Sequence, residues 1–334
     1  MRCMGVLLWP ERLHIRHCRH RGAFLKFGNG RHVAGEKGRT FMSIIAIAGG
    51  TGTVGSKLTR QLVESGARVR VLSRNPDKAR ALFGAGVNVV GVDFDDAKSL
   101  QQAFEGAGKA FLSTATSAHQ VRDEKALIDA AVDAGVPYLV GLSVGGAGGR
   151  IASNVLEWHT EIDAHLASKN VDWTLLRPTT FSDTLVRLAS NFVPKGVWGG
   201  AAEDGLVSAI DTRDVAACAA VVLLEGAERH GHRIYELTGP APVSMDDVAA
   251  LLAEGLGRPV TYIRRSAEEQ RAFYAAIGLP PLSIDVLLGL DHLARTNVYA
   301  TPTAGVMALT SQAPRSVAAL VRERIADFAP AAKA

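Results

Sequence analysis

From Ile44 onward the chain alternates two kinds of apolar pattern. Short runs dominated by apolar residues occupy 44–48, 68–72, 87–92, 109–112, 138–142 and 172–176. Between them apolar residues recur every three or four positions, as with Val54, Leu58, Leu62 and Val63 after the first run and again over 119–134. A short apolar run bounded by turn residues reads as a strand buried on both faces, and the wider spacing reads as a helix with one apolar face. Strand and helix in strict alternation predict an α/β fold, a Rossmann-type doubly wound parallel sheet. Beyond residue 180 the alternation loosens. Helices over 211–225, 246–256, 267–276 and 315–327, with short strands at 233–237 and 260–263, predict a smaller, mostly helical C-terminal substrate lobe. The expected organisation is therefore a basic extension at 1–41, a nucleotide-binding domain at 42–180 and the lobe at 181–334. No apolar run approaches the ~18–20 residues of a membrane-spanning helix.

Ligands of such sheets bind beyond the carboxyl ends of the strands. Ser73, Asp93, Ser113 and Ser143 all close a strand and should line one crevice. The first strand runs directly into Gly49-Gly50-Thr51-Gly52-Thr53-Val54-Gly55, and a helix follows. Glycines at that junction allow a tight turn and let backbone N–H groups approach a pyrophosphate at the positive helix end. An NAD site places a carboxylate ~20 residues further on, for the ribose 2′-hydroxyl. Here Arg74 stands instead, with Lys78 one helical turn beyond. A guanidinium suits a 2′-phosphate, so the expected cofactor is NADP(H) rather than NAD(H). Asp93 is expected to accept from the adenine amino group while Phe94 borders the ring. Asp95 or Asp96 is expected to cap the helix that opens near Ala97.

Composition adds little to this picture, but charge divides the chain. Hydrophobic residues make up 47% and charged residues 21% of 334, as in an ordinary globular protein. The net charge is +4, yet residues 1–41 hold nine Lys or Arg against Glu11 and Glu36. The remainder holds 28 basic and 31 acidic groups, so no basic face for nucleic acid is expected there. Met42 directly precedes the first core strand, which points to Met42 as the biological start and to 1–41 as an overextended, poorly ordered segment. His14, His17, Cys18 and His20 match no zinc spacing, and no metal site is expected in the body. Apart from Cys3 and Cys18 the only cysteine is Cys218, in an apolar helix, where it reads as a small buried hydrophobe. One cysteine in the body fits a reducing, cytoplasmic setting and a monomer or homodimer without disulfides.

The glycine loop, Leu72-Ser73-Arg74-Asn75-Pro76, the run from Trp173 through Arg177-Pro178-Thr179-Thr180-Phe181, Ile210-Asp211-Thr212-Arg213-Asp214 and Tyr235-Glu236-Leu237-Thr238-Gly239-Pro240 together resemble the NmrA-like family of atypical short-chain dehydrogenase/reductases. The resemblance spans roughly 43–328. It implies an NAD(P)H-binding protein akin to quinone reductases, reductases of aromatic dyes or regulators that bind NADP without turnover. It also implies that Arg74 and Lys78 hold the adenosine phosphate, that Thr114 sits by a ribose, and that Pro178, Thr179 and Phe181 face the nicotinamide. The Tyr-x-x-x-Lys pair of typical short-chain dehydrogenases is absent: His159 takes the Lys position and Val155 the Tyr position. Without the phenol, proton-coupled reduction of a simple carbonyl is disfavoured. Direct hydride transfer to a quinone or other conjugated small-molecule acceptor needs less acid–base machinery. His159, with an ordinary pKa near 6.5, becomes the candidate proton donor or ribose partner, and Ser143 a candidate helper. Glu161 and Asp163 read as solvated helix charges. Asp211 and Asp214 read as helix caps, while Phe181, Phe192, Trp198, Phe273 and Tyr274 offer apolar surface. A non-catalytic NADP(H) sensor is the competing reading.

Overall fold

The computed structural model describes residues 43–151 and 153–328, so the expectations for 1–41, including Cys3, Cys18 and the histidines near them, lie outside the described residues. The first half alternates β1 (Ile44–Ala48), α1 (Gly55–Glu64), β2 (Val69–Ser73), α2 (Pro76–Phe83), β3 (Asn88–Gly91), α3 (Ala97–Phe104), β4 (Ala107–Leu112), α4 (Gln120–Asp133), β5 (Tyr138–Leu142), α5 (Asn154–Ala167) and β6 (Asp172–Pro178). The second half holds α6 (Ser182–Phe192), β7 (Gly199–Gly200), α7 (Thr212–Glu225), α8 (Ala227–His230), β8 (Arg233–Leu237), α9 (Met245–Leu256), β9 (Ile263–Arg264), α10 (Ala267–Ala276), α11 (Pro281–Arg295), α12 (Gly305–Thr310) and α13 (Val317–Glu323). Among the described residues, no helix is long and apolar enough to cross a membrane.

Seven strands form one parallel sheet in the order β3-β2-β1-β4-β5-β6-β8. The period-two geometry of a strand divides its side chains between two layers. Ile45, Ile47, Val71, Phe111 and Val140 pack with Leu58, Leu62, Val215 and Ala219 on one face. Ala46, Ala48, Leu72, Leu112 and Leu139 pack with Leu100, Phe104, Leu127 and Leu166 on the other. Burial on both faces is the reason the strands carry apolar residues at consecutive positions. From β1 the chain winds outward through β2 and β3, then returns to β4 on the opposite side. The β1/β4 seam is thus the topological switch point, where a doubly wound sheet opens a crevice.

The boundary expected at residue 180 is crossed twice. Helix α7 packs against α1 on the first sheet face, and β8 adds a seventh strand beside β6. The reason is the fold's demand for cover: α7 is apolar nearly all round, and an uncovered sheet face is not stable in water. Asp211 caps α7 by accepting from the Arg213 N–H at 2.8 Å. Asp214, expected to cap with it, instead accepts from the Arg315 backbone N–H at 2.6 Å. Asp96 caps α3, accepting from Lys98 and Ser99. Cys218 is fully buried in α7, and burial pushes its thiol up to about 12. The strand expected at 260–263 shrinks to Ile263–Arg264, paired with Gly199–Gly200 in a separate two-stranded element. The remaining helices build a third apolar cluster around Val186, Trp198, Val248, Leu252, Leu293 and Phe328.

Candidate active site

Gly49 follows β1 at a φ of +77°, and a Cβ there would lie 2.4 Å from the carbonyl oxygen of Ser113, just past β4. The turn closes with the Gly52 N–H donating to the Gly49 oxygen at 2.9 Å. Helix α1 then begins without a side-chain cap. The open helix start and the close backbone approach are what a pyrophosphate cradle requires. A groove of about 550 Å³ extends from this loop. Its lining includes Gly49, Thr51, Gly52, Thr53, Val54 and Gly55, then Ser73, Arg74, Lys78 and Phe94.

The end of β2 is shaped locally. Ser73 Oγ donates to the Asn75 carbonyl at 2.9 Å, and Asn75 Oδ1 caps α2 by accepting from the Lys78 N–H at 3.0 Å. The guanidinium of Arg74 lies 5.7 Å from the centre of the Phe94 ring. Neither Arg74 nor Lys78 forms an ion pair among the described residues, so both bring uncompensated positive charge to this end of the groove. Asp93 is the exception among the strand-end residues. It is exposed and does not line the groove, because its carboxylate turns back to accept from the Asp95 N–H at 3.0 Å. Such a local turn competes with ligand contact for a short acidic side chain.

A second cavity, of about 560 Å³, adjoins the groove. The two share Ser113, Thr114, Thr116, Leu142 and Phe181 as a common wall. Pro178 and Thr179 border this chamber from the end of β6, where Thr179 Oγ1 is held by donating to the Ser208 carbonyl at 2.7 Å. Val155 and His159 face it from α5, Thr184, Leu188 and Phe192 from α6, and Leu282, Val286, Leu287 and Leu290 from α11. Of the aromatics proposed as ligand surface, Phe181 and Phe192 take that place. Trp198 packs on Tyr262 instead, and Tyr274 is buried.

Two polar chains run under the chamber floor. In one, Glu124 Oε1 accepts from the Thr114 N–H at 3.1 Å, the Thr114 hydroxyl at 2.9 Å and Gln120 Nε2 at 3.3 Å. Gln120 Nε2 also meets His159 Nε2 at 3.3 Å, while His159 Nδ1 is buried without a partner. Burial lifts the Glu124 carboxyl to about 7. Burial, helped by the Arg177 charge, drops His159 to about 4. In the other chain Ser143 Oγ donates to Asp163 Oδ2 at 2.8 Å, and Arg177 holds the same oxygen at 2.9 Å. Arg177 also faces Glu236 at 3.6 Å.

These positions correct two expectations. His159 is neutral at pH 7 and holds no spare proton, because its ring is buried beside a guanidinium rather than half-solvated. Asp163 is buried and paired, while Glu161 remains a surface charge bonded to Lys125. Gln120 and Glu124 escaped the sequence reading, and Arg177 entered it only within a motif, without a role. A signal for the first two existed: Gln120 and Glu124, like His159 and Asp163, are polar residues four apart on stripes that otherwise carry Leu127 and Ala131, or Ile162 and Leu166, into the core.

The shifts of Glu124 and His159 oppose one another in stability. An acid raised from 4.5 to about 7 favours the fold below pH 4.5, and that stability is lost as pH rises through 7. A base lowered from 6.5 to about 4 favours the fold above pH 6.5, and that stability is lost as pH falls through 4. Each is worth about 3 kcal/mol. In chemical denaturation Glu124→Gln should therefore gain about that much relative to the parent as pH rises from 4.5 to 7, and His159→Gln should lose as much relative to the parent as pH rises from 4 to 6.5. Parallel curves for all three proteins would contradict the burial of both groups.

A family model described as the NmrA-like family matches residues 42–281. The chain belongs to the NmrA-like family. This NmrA-like chain is 32% identical over 289 residues to an NAD(P)H azoreductase of Xenophilus azovorans, covering 86% of its own length and all of that protein. Among solved structures it resembles the NADPH-dependent quinone oxidoreductase of Escherichia coli complexed with NADPH. The TM-score there is 0.78 at 29% identity, over 84% of this chain and 99% of that one. The negative transcriptional regulator NmrA in complex with NADP shares the fold alone, with a TM-score of 0.69 at 18% identity over 85% and 95% of the two chains. The doubly wound sheet expected from the apolar pattern is thus the family's fold, and the expectation of an NAD(P)H-dependent oxidoreductase agrees with the names of the relatives.

Proposed function

We propose that this protein is an NADP(H)-dependent reductase that passes hydride to a quinone or another flat conjugated small molecule. The observation that carries the reading is the common wall: a dinucleotide-sized groove and an apolar chamber meet at Ser113, Thr114, Leu142 and Phe181. Two reactants placed on either side of such a junction are held face to face, which replaces a bimolecular encounter by a positioned one. The glycine loop would take the pyrophosphate, Arg74 and Lys78 the 2′-phosphate, and Thr114 the nearby ribose. Bound there, the reduced nicotinamide supplies the hydride.

The chain's own residues do the rest. Pro178 ends β6 and stiffens the segment to Phe181, whose ring borders both cavities. Leu188 and Phe192 on one side and Val286, Leu287 and Leu290 on the other make a slot that excludes water and favours a planar apolar acceptor. Val155 offers no proton where a tyrosine would, which suits an acceptor whose reduced form spreads its charge over a conjugated ring.

Following NADPH absorbance with a panel of quinones and azo or triarylmethane dyes tests the reading. Oxidation should depend on the acceptor and outrun the NADH reaction at least tenfold. Tight NADPH binding with no turnover on any acceptor would instead assign the protein to redox sensing.

A further inference from the structure

The buried chain from Thr114 to His159 determines more than packing. Glu124 Oε1 already accepts two hydrogens from Thr114, one from its N–H and one from its hydroxyl. Any proton the carboxyl carries therefore sits on Oε2, and Oε1 remains an acceptor in both ionisation states. Against such an oxygen the Gln120 amide must present its NH₂ and not its carbonyl, since two acceptors in contact repel. The same nitrogen lies 3.3 Å from His159 Nε2, and with one hydrogen given to Glu124 its second is the one left for that contact. His159 Nε2 must then be an acceptor.

We propose that Gln120 and Glu124 are positioning residues that hold His159 as one neutral tautomer, hydrogen on Nδ1, so that the ring donates a hydrogen bond to an oxygen of the bound ligand. The proposal deepens the reductase reading and rests on it. Nδ1 is buried and has no partner among the described residues, and the ring borders the chamber. A buried donor without a partner is costly, and a ligand oxygen would recover that cost. Burial, with the Arg177 charge beside it, keeps the ring neutral. Arg177 approaches from β6 and Asp163 lies one turn along α5, but Asp163 is engaged by Ser143 and Arg177 and leaves the imidazole unpaired. A neutral imidazole with Nε2 occupied polarises an oxygen without surrendering its proton, so His159 acts as a donor and not as a general acid. The oxygen belongs either to the cofactor's ribose or to the acceptor's carbonyl; both present the same chemistry.

Long-range ¹H–¹⁵N spectra of the histidine-labelled full chain at pH 7 decide the matter without any turnover. The His159 signals are assigned by their loss in His159→Gln. The expected pattern is one protonated nitrogen at Nδ1 and one bare nitrogen at Nε2. Protonation at Nε2, or at both nitrogens, overturns the proposal. Glu124→Leu and Gln120→Met should shift the ring to mixed tautomers and lower acceptor-dependent kcat/KM about tenfold, and an unchanged tautomer in both would also overturn it. A Nδ1 shift on adding NADP⁺ alone assigns the oxygen to the ribose, and a shift only on adding a quinone assigns it to the acceptor. No shift with either removes the donor role. An inert enzyme that shows the Nδ1–H tautomer would sink the reductase reading while leaving the positioning intact.

Discussion

Replacing Gly55 with alanine should weaken NADPH and NADH together by at least 100-fold and lower the melting temperature. The glycine is not at a positive φ, so its role is space and not backbone freedom. A Cβ at 55 would lie 2.2 Å from the Gly49 carbonyl oxygen, 2.8 Å from the Gly49 carbonyl carbon and 2.9 Å from Gly50 Cα. All three are backbone atoms of the cradle itself. They have little room to retreat, because Gly49 is pressed against the Ser113 carbonyl and its oxygen closes the turn onto Gly52. The overlap must move the start of α1 away from β1, which costs several kcal/mol and spoils the approach to a pyrophosphate; each ~1.4 kcal/mol is a factor of ten in affinity. Gly86→Ala is the control, since a Cβ there meets nothing within 4 Å. Fluorescence titration of both nucleotides, with a thermal melt of the same samples, reads the effect. Near-parental binding by Gly55→Ala would remove the loop from the cofactor site.

The loop was legible in the sequence for the same reason that it is sensitive. Glycines between an apolar run and a helical period have few other uses, and the strands around them are apolar on both faces, so pattern and structure report one constraint. β5 and β8 match their expected limits residue for residue, Tyr138–Leu142 and Arg233–Leu237. Helix α11 was invisible for the opposite reason. Its Ile284, Leu293 and Ala294 face the core while Leu282, Val286, Leu287 and Leu290 face the chamber. With apolar residues on two sides and Gly289 between them, no single stripe stands out.

The polar floor of the chamber was hidden by a different effect. Local sequence tells how a charged residue sits on its own helix, and there Asp163 looks like the solvated Glu161 two positions earlier. What separates them is Arg177, which arrives from β6 and bonds to Asp163. Glu124 likewise owes its burial to Thr114 on the loop after β4 and to α5 beyond it. Such groups are defined by long-range contacts, and a polar residue placed on a core-facing stripe is the only local trace of them.

Arg74→Ala should weaken NADPH roughly 10- to 100-fold and leave NADH within about threefold. A charge-assisted hydrogen bond between guanidinium and phosphate is worth ~1.5–3 kcal/mol, and NADH has no phosphate at that position to lose it. Among the described residues Arg74 has no carboxylate partner, and its guanidinium sits 5.7 Å from the centre of the Phe94 ring. Phe94→Ala should then cost NADPH a smaller factor, because the guanidinium loses the surface that orients it. Lys78→Ala should also cost less than Arg74→Ala, since an ammonium acts as a point charge without the paired geometry. Arg74→Glu should go further and invert the preference, setting a carboxylate against the phosphate while offering an acceptor to a ribose hydroxyl. Parallel Kd measurements for the two nucleotides at fixed ionic strength distinguish these outcomes. Equal weakening of both by Arg74→Ala would mean that the arginine supports the groove and does not read the phosphate.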